Sequence, residues 1–229
     1  MTLIIGAKCK DGVIILSDSR VSRGHDLNQY RKIFVPIDGT FIGASGTTGV
    51  FIKFLKKVNQ KVESGEISSW DELIDIVEDL VMQLSSRYYR RTGGDPIDVL
   101  MALKPSDDKS EIYHITSEGV AEEVFTIMAI GHGEPHASLF LKTMWNSDMT
   151  MRQTAVLGSF ILTTIHQQGM DSSVDDRIQI GYVPFEGESH EATDEDILKI
   201  SLESTQLYEH FIDVASTLVD NSKTIKTEN

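Results

Sequence analysis

The chain has 229 residues, 40% of them hydrophobic, and a formal net charge of −14 from 21 basic and 35 acidic side chains. That length suits one or two domains with a sizeable core, and a surface this acidic repels phosphate backbones and anionic lipid, so neither nucleic acid nor a membrane is an expected partner. No apolar run approaches membrane-spanning length, the apolar start of the chain follows no basic stretch, and the lone Cys9 cannot close an internal disulfide, which together point to a cytoplasmic setting.

Leu3 to Cys9 and Val13 to Ser17 read as two strands joined at Asp11-Gly12, a strong hairpin signal. A polar loop spans Ser22 to Gln29. A second hairpin, Ile33 to Ile37 and Thr40 to Ala44, turns at Asp38-Gly39. After the small-residue turn Ser45-Gly46-Thr47-Thr48-Gly49 the period changes. Phe51, Phe54, Leu55, Val58 and Val62 recur at helical spacing. A second helix opens on the capping pattern Ser69-Trp70-Asp71-Glu72 and closes at Arg90-Arg91-Thr92-Gly93-Gly94.

Strands return at Asp98 to Leu103, Glu111 to Thr116 and Val124 to Ile130, the last ending in Gly131-His132-Gly133. Helices are expected at Pro135 to Trp145 and Thr150 to Gln168, a strand at Ile178 to Val183, and a long helix from Thr193 to Leu218 with Asp196 in its cap. Two strand blocks, each followed by a helix pair, imply an α+β, four-layer αββα sandwich of two antiparallel sheets. With no repeat or low-complexity linker, residues 1–220 read as one domain and 221–229 as a polar tail.

Chemistry gathers at the chain start. Threonine is small enough for Met1 to be removed ahead of it, which would leave Thr2 with a free α-amine beside its own hydroxyl. A terminal amine titrates near neutrality, at about 7.7–8.0, so it can act as general base for that hydroxyl. The first hairpin returns Asp18 and Arg20 to the neighbourhood of Thr2. Lys32 leads into the next strand, where its ammonium would favour a neutral amine and Asp18 could hold it. The turn at Gly46 opens a helix, whose outward N–H groups could hold an oxyanion. Each feature has a plainer reading as well: a solvated strand end, a simple turn, a common second residue.

In order and near-spacing, Thr2, Lys10-Asp11-Gly12-Val13, Asp18 with Arg20, Lys32-Ile33-Phe34 and Ala44-Ser45-Gly46 resemble proteasome β subunits and the related bacterial peptidases. The resemblance covers most of the chain and is closest over residues 2–50. It implies an N-terminal-nucleophile hydrolase: Thr2 as nucleophile and base, Lys32 tuning the amine, Asp18 pairing with Lys32, and Gly46 as oxyanion donor. It also places His132 where the family carries a serine supporting the amine, and Asp171 at the family's later acid. The serine expected after that acid falls on Val174, with Ser173 its nearest substitute; Asp175-Asp176 replaces a glycine pair, and Val50 an aspartate. Val21, Ala44 and Thr48 match positions lining the pocket for the residue before the cut.

The implied activity is a threonine-type endopeptidase acting on peptide or unfolded protein, without a cofactor or metal. It would sit in a homo-oligomeric ring, or a hetero-ring with related subunits, with an ATPase as a possible partner. Two alternatives share the same residues: a peptide ligase or transpeptidase using the same acyl-enzyme, and a non-catalytic ring subunit. The His132–His136 spacing invites a metal reading, but Gly133 and Pro135 argue against the helix that would align the two rings.

Overall fold

The computed structural model describes residues 2–23, 26–29, 31–106, 108–172 and 174–226; side chains are not described for 20–23, 26–29, 215, 216 and 218–226. Two five-stranded antiparallel sheets carry the architecture. The first has β1 (Leu3–Cys9) and β2 (Gly12–Asp18) at its centre, flanked by β10 (Ile127–Gly131) on one side and by β11 (Ile178–Pro184) with β12 (His190–Glu191) on the other. The second runs β5 (Ile33–Phe34), β6 (Thr40–Gly46), β7 (Ile97–Ser106), β8 (Lys109–Ile115), β9 (Ala121–Glu123).

Three apolar layers glue the sandwich. Ile4, Val13, Ile15, Ile130 and Val183 of the first sheet meet Ile33, Phe41, Leu100, Ala102 and Ile112 of the second. The alternate residues of β1 and β2, among them Leu3, Ile5, Ile14 and Leu16, face a separate core with α3 (Glu134–Met144), α4 (Met151–Gln167) and α5 (Asp194–Lys226). On the far side Ile42, Ala44, Val99 and Met101 pack under α1 (Thr48–Glu63) and α2 (Trp70–Thr92). Strands buried on both faces must be apolar at successive positions, so β1 and β2 read as continuous runs rather than alternations. The αββα sandwich expected from the chain order is the fold.

The helix ends follow their sequence signals. Ser69 Oγ accepts the Glu72 N–H at 3.2 Å, and α2 stops at Gly93, whose φ of +74° is left-handed. Thr193 and Asp196 cap α5 reciprocally: the Asp196 N–H donates to Thr193 Oγ1 and the Thr193 N–H to Asp196 Oδ2, each at 3.2 Å.

Several boundaries differ from expectation. The loop expected over 22–29 contains a two-stranded ribbon, β3 (Arg20–Arg23) with β4 (Asp26–Gln29). β5 is cut short ahead of Pro36, which offers no N–H to a ladder. β7 continues through Pro105 because the register shifts between Leu103 and Ser106, the kind of irregularity that accommodates proline. β9 and β12 are too short to leave a periodic trace. α5 does not stop at Leu218 but runs to Lys226, so most of the segment read as a polar tail is helical. No glycine or proline follows Thr193 to break it. Among the described residues, no helix is long and apolar enough to cross a membrane.

Candidate active site

Asp18 and Lys32 form the centre of the site. The Lys32 ammonium lies 2.6 Å from Asp18 Oδ2, and neither side chain is more than 1% exposed. Asp18 Oδ1 accepts the Leu3 N–H at 2.9 Å. One carboxylate therefore ties the start of β1, the end of β2 and the segment entering β5. The Lys32 backbone is fixed independently, its N–H donating to Gln179 Oε1 at 2.8 Å. Burial pushes the Lys32 ammonium below the ordinary lysine value, and the charge of Asp18 opposes that shift, helped by Asp175 and Asp171.

Thr2 is buried to 7% exposure. Its carbonyl is gripped by the turn leaving β10: the Gly133 N–H approaches Thr2 O at 3.4 Å. Gly131, opposite Leu3 in the ladder, has a φ of +98°, and a β-carbon there would lie 3.0 Å from the Thr2 carbonyl carbon and nearer still to its oxygen. Only glycine lets the two backbones meet this closely.

Thr2 opens into a cleft of about 610 Å³ whose walls include Ser45, Gly46, Thr47, Thr48 and His132, with Thr92–Asp95 and Asp98 opposite. Gly46 holds a φ of +127°, and a β-carbon would stand 2.8 Å from the Pro96 carbonyl carbon. This bend delivers Thr47 and Thr48, the start of α1, to the cleft. That helix has neither a side-chain cap nor an acidic residue in its first turn, so its positive dipole end favours an anion, although the Thr47 N–H already donates to Pro96 O at 2.9 Å and the Val50 N–H to Thr47 O at 2.8 Å.

His132 Nδ1 lies 2.8 Å from Asp171 Oδ2; the carboxylate side chain is 3% exposed and the imidazole 63%. Of the residues expected from sequence, Thr2, Gly46, Thr48 and His132 line the cleft, Asp18 and Lys32 lie buried behind the start of β1, and Asp171 stands behind His132. Ala44 is different: it is buried among Ile42, Phe51 and Phe54 under α1 and does not line this cleft. Its outward alternation on β6 puts it on the helix side of the sheet. Val174 is fully buried in the core that also holds Leu3 and Phe160, beneath α3 and α4, where it supplies no hydroxyl. Ser173 and the Val21 side chain lie outside the described residues.

Other contributors carried no motif. Gln179 is one polar residue in the apolar run of β11, and that intrusion was its only signal. Asp98, paired with His114 at 2.7 Å, lines the cleft from a strand whose pattern reads as core. His166, Asp175 and Asp176 each offer a ligand atom within 4.8 Å of the others. The hydrogen bond shared with Asp175 raises the Asp176 carboxyl, and burial adds to it. His136 is not part of that group.

The two-sheet sandwich with helices on both faces is the fold that proteasome subunits share with N-terminal-nucleophile proteins. The chain belongs to the proteasome subunit family, whose model matches residues 2–183. It is 27% identical over 159 residues to the proteasome subunit beta of Nanoarchaeum equitans, covering 69% of this chain and 81% of that protein. It is 23% identical over 176 residues to a proteasome subunit alpha of Methanococcus maripaludis, covering 76% of this chain and 68% of that protein. Among solved structures, Anbu (ancestral beta-subunit) from Yersinia bercovieri superposes with a TM-score of 0.76 at 14% identity, covering 94% of this chain and 97% of that one. An Anbu mutant from Hyphomicrobium sp. gives 0.72 at 15% identity, covering 93% and 97%.

Proposed function

We propose that this chain is a threonine-type peptidase subunit whose nucleophile is the hydroxyl of Thr2, freed by removal of Met1. The observation that carries the reading is the buried Asp18 carboxylate, which holds the Lys32 ammonium at 2.6 Å and the Leu3 N–H at 2.9 Å. A buried ion pair is poor value as a stabiliser, yet here it brings an ammonium to the one chain end that a terminal nucleophile needs held still.

In this mechanism the α-amine of Thr2 takes the hydroxyl proton, and the oxygen attacks the carbonyl carbon of a peptide bond. The Gly46 N–H and the start of α1 hold the resulting oxyanion. Collapse gives an ester-linked acyl-enzyme that water hydrolyses. The positive field of Lys32 disfavours the ammonium form of the amine and so keeps the base in its working state. The substrate is peptide or unfolded protein in the cytoplasm, and the working form is a ring of this chain or of related subunits, fed by an ATPase where folded proteins are degraded. An amine competing with water would turn the same intermediate to ligation.

A second reading, a non-catalytic ring subunit, is favoured by the buried, hydroxyl-free Val174 and by relatives named both alpha and beta. Intact-mass spectrometry after incubation with a peptide boronate separates the two. The peptidase reading expects a chain lacking Met1 and carrying one adduct on Thr2, lost in Thr2→Ala. Retained Met1, or a processed chain with no adduct, would overturn it.

A further inference from the structure

The first sheet has one edge that nothing blunts. β10 pairs with β1 alone, so its other side closes no ladder. Edge strands are normally protected by charge, proline or brevity. At the other edges of the two five-stranded sheets, β9 and β12 carry glutamates, and β5 is two residues long with Pro36 just beyond it. β10 reads Ile-Met-Ala-Ile-Gly, five residues with neither a charge nor a proline. The register shows which of its main-chain groups are unpaired. The Lys8 N–H donates to Thr126 O at 2.8 Å, and Gly6 and Ile4 lie opposite Met128 and Ile130. Antiparallel ladders alternate, so Thr126, Met128 and Ile130 turn their N–H and C=O toward β1, while Ile127, Ala129 and Gly131 turn theirs outward. Among the described residues no protein group bonds to these outward groups. Yet Ile127, Met128 and Ala129 are half-buried, and an unpaired main-chain group away from water is costly.

That edge lines a groove of about 440 Å³, together with Glu134 and Leu141 of α3 and with Asp98 and His114 of the second sheet. The groove and the Thr2 cleft share Asp98 and Gly131, so one runs into the other. We propose that an extended stretch of the substrate, the part on the leaving side of the cut bond, adds to β10 as a further strand. The inference rests on the peptidase reading and names how that site takes its peptide. Direction selects the leaving side. β10 runs toward Thr2, with its last residue, Gly131, opposite Leu3. A chain that continues N-to-C from the cut runs away from Thr2 and meets β10 antiparallel, the better-paired arrangement. The acyl half would approach the cut along the same edge in the parallel sense. The span from Gly131 to Ile127 takes about four or five residues at roughly 3.4 Å each. Main-chain pairing reads no particular side chain. The substrate class is therefore extended peptide with several proline-free residues beyond the cut, which an unfolded protein supplies.

The test uses the full-length, Met1-processed chain and peptides that share one acyl half, are cut at a single bond located by mass spectrometry, and carry one to seven residues after it. The value of kcat/KM is expected to rise about 10–100-fold between one and five leaving-side residues and then level off. N-methylation of single amides in the seven-residue member should lower it about 3–10-fold, at alternate positions only, which is the parity of a paired strand. Ala129→Pro removes one outward N–H and no rung of the β1 ladder, so it should flatten the length profile; an unchanged urea midpoint confirms that the fold is kept. Hydrogen exchange by NMR supplies an activity-free readout. In Thr2→Ala protein, the seven-residue peptide should slow exchange of the Ile127 and Ala129 amides. Protection of those two amides in the peptide-free assembly would put a second copy of the chain on this edge and overturn the proposal. So would a kcat/KM independent of leaving-side length, or N-methyl losses without alternation. A Thr2–boronate adduct with a flat length profile in the parent chain sinks this inference alone, whereas absence of the adduct sinks the peptidase reading and this inference with it.

Discussion

The Asp18–Lys32 pair makes the sharpest quantitative prediction. Both side chains are within 1% of complete burial, so Lys32→Met leaves a buried carboxylate without that counter-charge. Breaking a buried pair from one side costs about 3–5 kcal/mol, whereas replacing both partners with groups of similar shape is often neutral. Asp18→Asn with Lys32→Met should therefore recover nearly all the loss, because an asparagine oxygen can still accept the Leu3 N–H now held at 2.9 Å and methionine fills the lysine stem. Urea unfolding at fixed protein concentration measures this. With a slope of about 1–3 kcal/mol/M, the single variant should lose roughly 2 M in midpoint and the double variant little. Neither should label at Thr2 at the parental rate, since both lack the ammonium. The pH dependence has a definite sign. The folded-state pKa of Lys32 lies below the 10.5 of a free lysine, mainly through burial. The unfolded chain therefore binds the extra proton between those two values, and stability rises with pH across that window. The parent chain should gain on the double variant as pH climbs toward 10.5. A Lys32→Met variant as stable as the parent, or a double variant as unstable as the single, would refute the reasoning.

Three further outcomes follow from the packing. Gly46→Ala should cost about 1–3 kcal/mol by urea titration and abolish boronate labelling, because φ is +127° and the new methyl would meet the Pro96 carbonyl carbon at 2.8 Å. Burial lifts the Cys9 thiol to about 11, only partly offset by its hydrogen bond with Thr154; the native chain should be inert to a disulfide reagent at pH 8 and titrate one thiol only on unfolding. Gly43→Val would press on Ile4 and Ile15, whose atoms already lie 3.0 and 3.1 Å from the β-carbon position, so a thermal scan should show a loss equivalent to about 1–3 kcal/mol from overpacking between the sheets.

The sandwich was legible because its elements announce themselves locally. Asp11-Gly12 and Asp38-Gly39 mark hairpins, Ser69 and Gly93 bracket a helix, and the period shifts at Thr48. Asp18 beside the chain start followed from hairpin geometry alone, since Ile4 pairs with Ser17. What local pattern could not carry was anything made by distant chain segments. The β3–β4 ribbon lies in a polar stretch with no apolar run, so it read as loop. Ala44 was placed at a pocket wall by the resemblance alone; the pleat decides which face it takes, and that face lies under α1. Gln179 and Asp98 look like accidents in apolar strands until the opposite segments are in place. The placement of His132 opposite Thr2 likewise depends on β10 pairing with β1, a contact across more than a hundred residues.

The precision of the chain end is therefore a tertiary property. β1 alone cannot hold Thr2, because a strand terminus has a free last residue that ordinarily frays. Three restraints from two distant segments remove that freedom: Asp18 on the Leu3 N–H, and, in the turn leaving β10, the close backbone approach of Gly131 and the Gly133 N–H on the Thr2 carbonyl. Each is backbone-directed, so none consumes the threonine hydroxyl or its amine. Structure alone would be served as well by a side-chain anchor, with an apolar second residue packed into the sandwich. Holding the residue by its peptide while leaving its functional groups toward the cleft is the arrangement a terminal nucleophile requires. It also explains why an altered residue such as Val174 can be absorbed: it lies in the buried core, while the position of Thr2 is set by main-chain contacts that tolerate no substitution at Gly131 and little at Asp18.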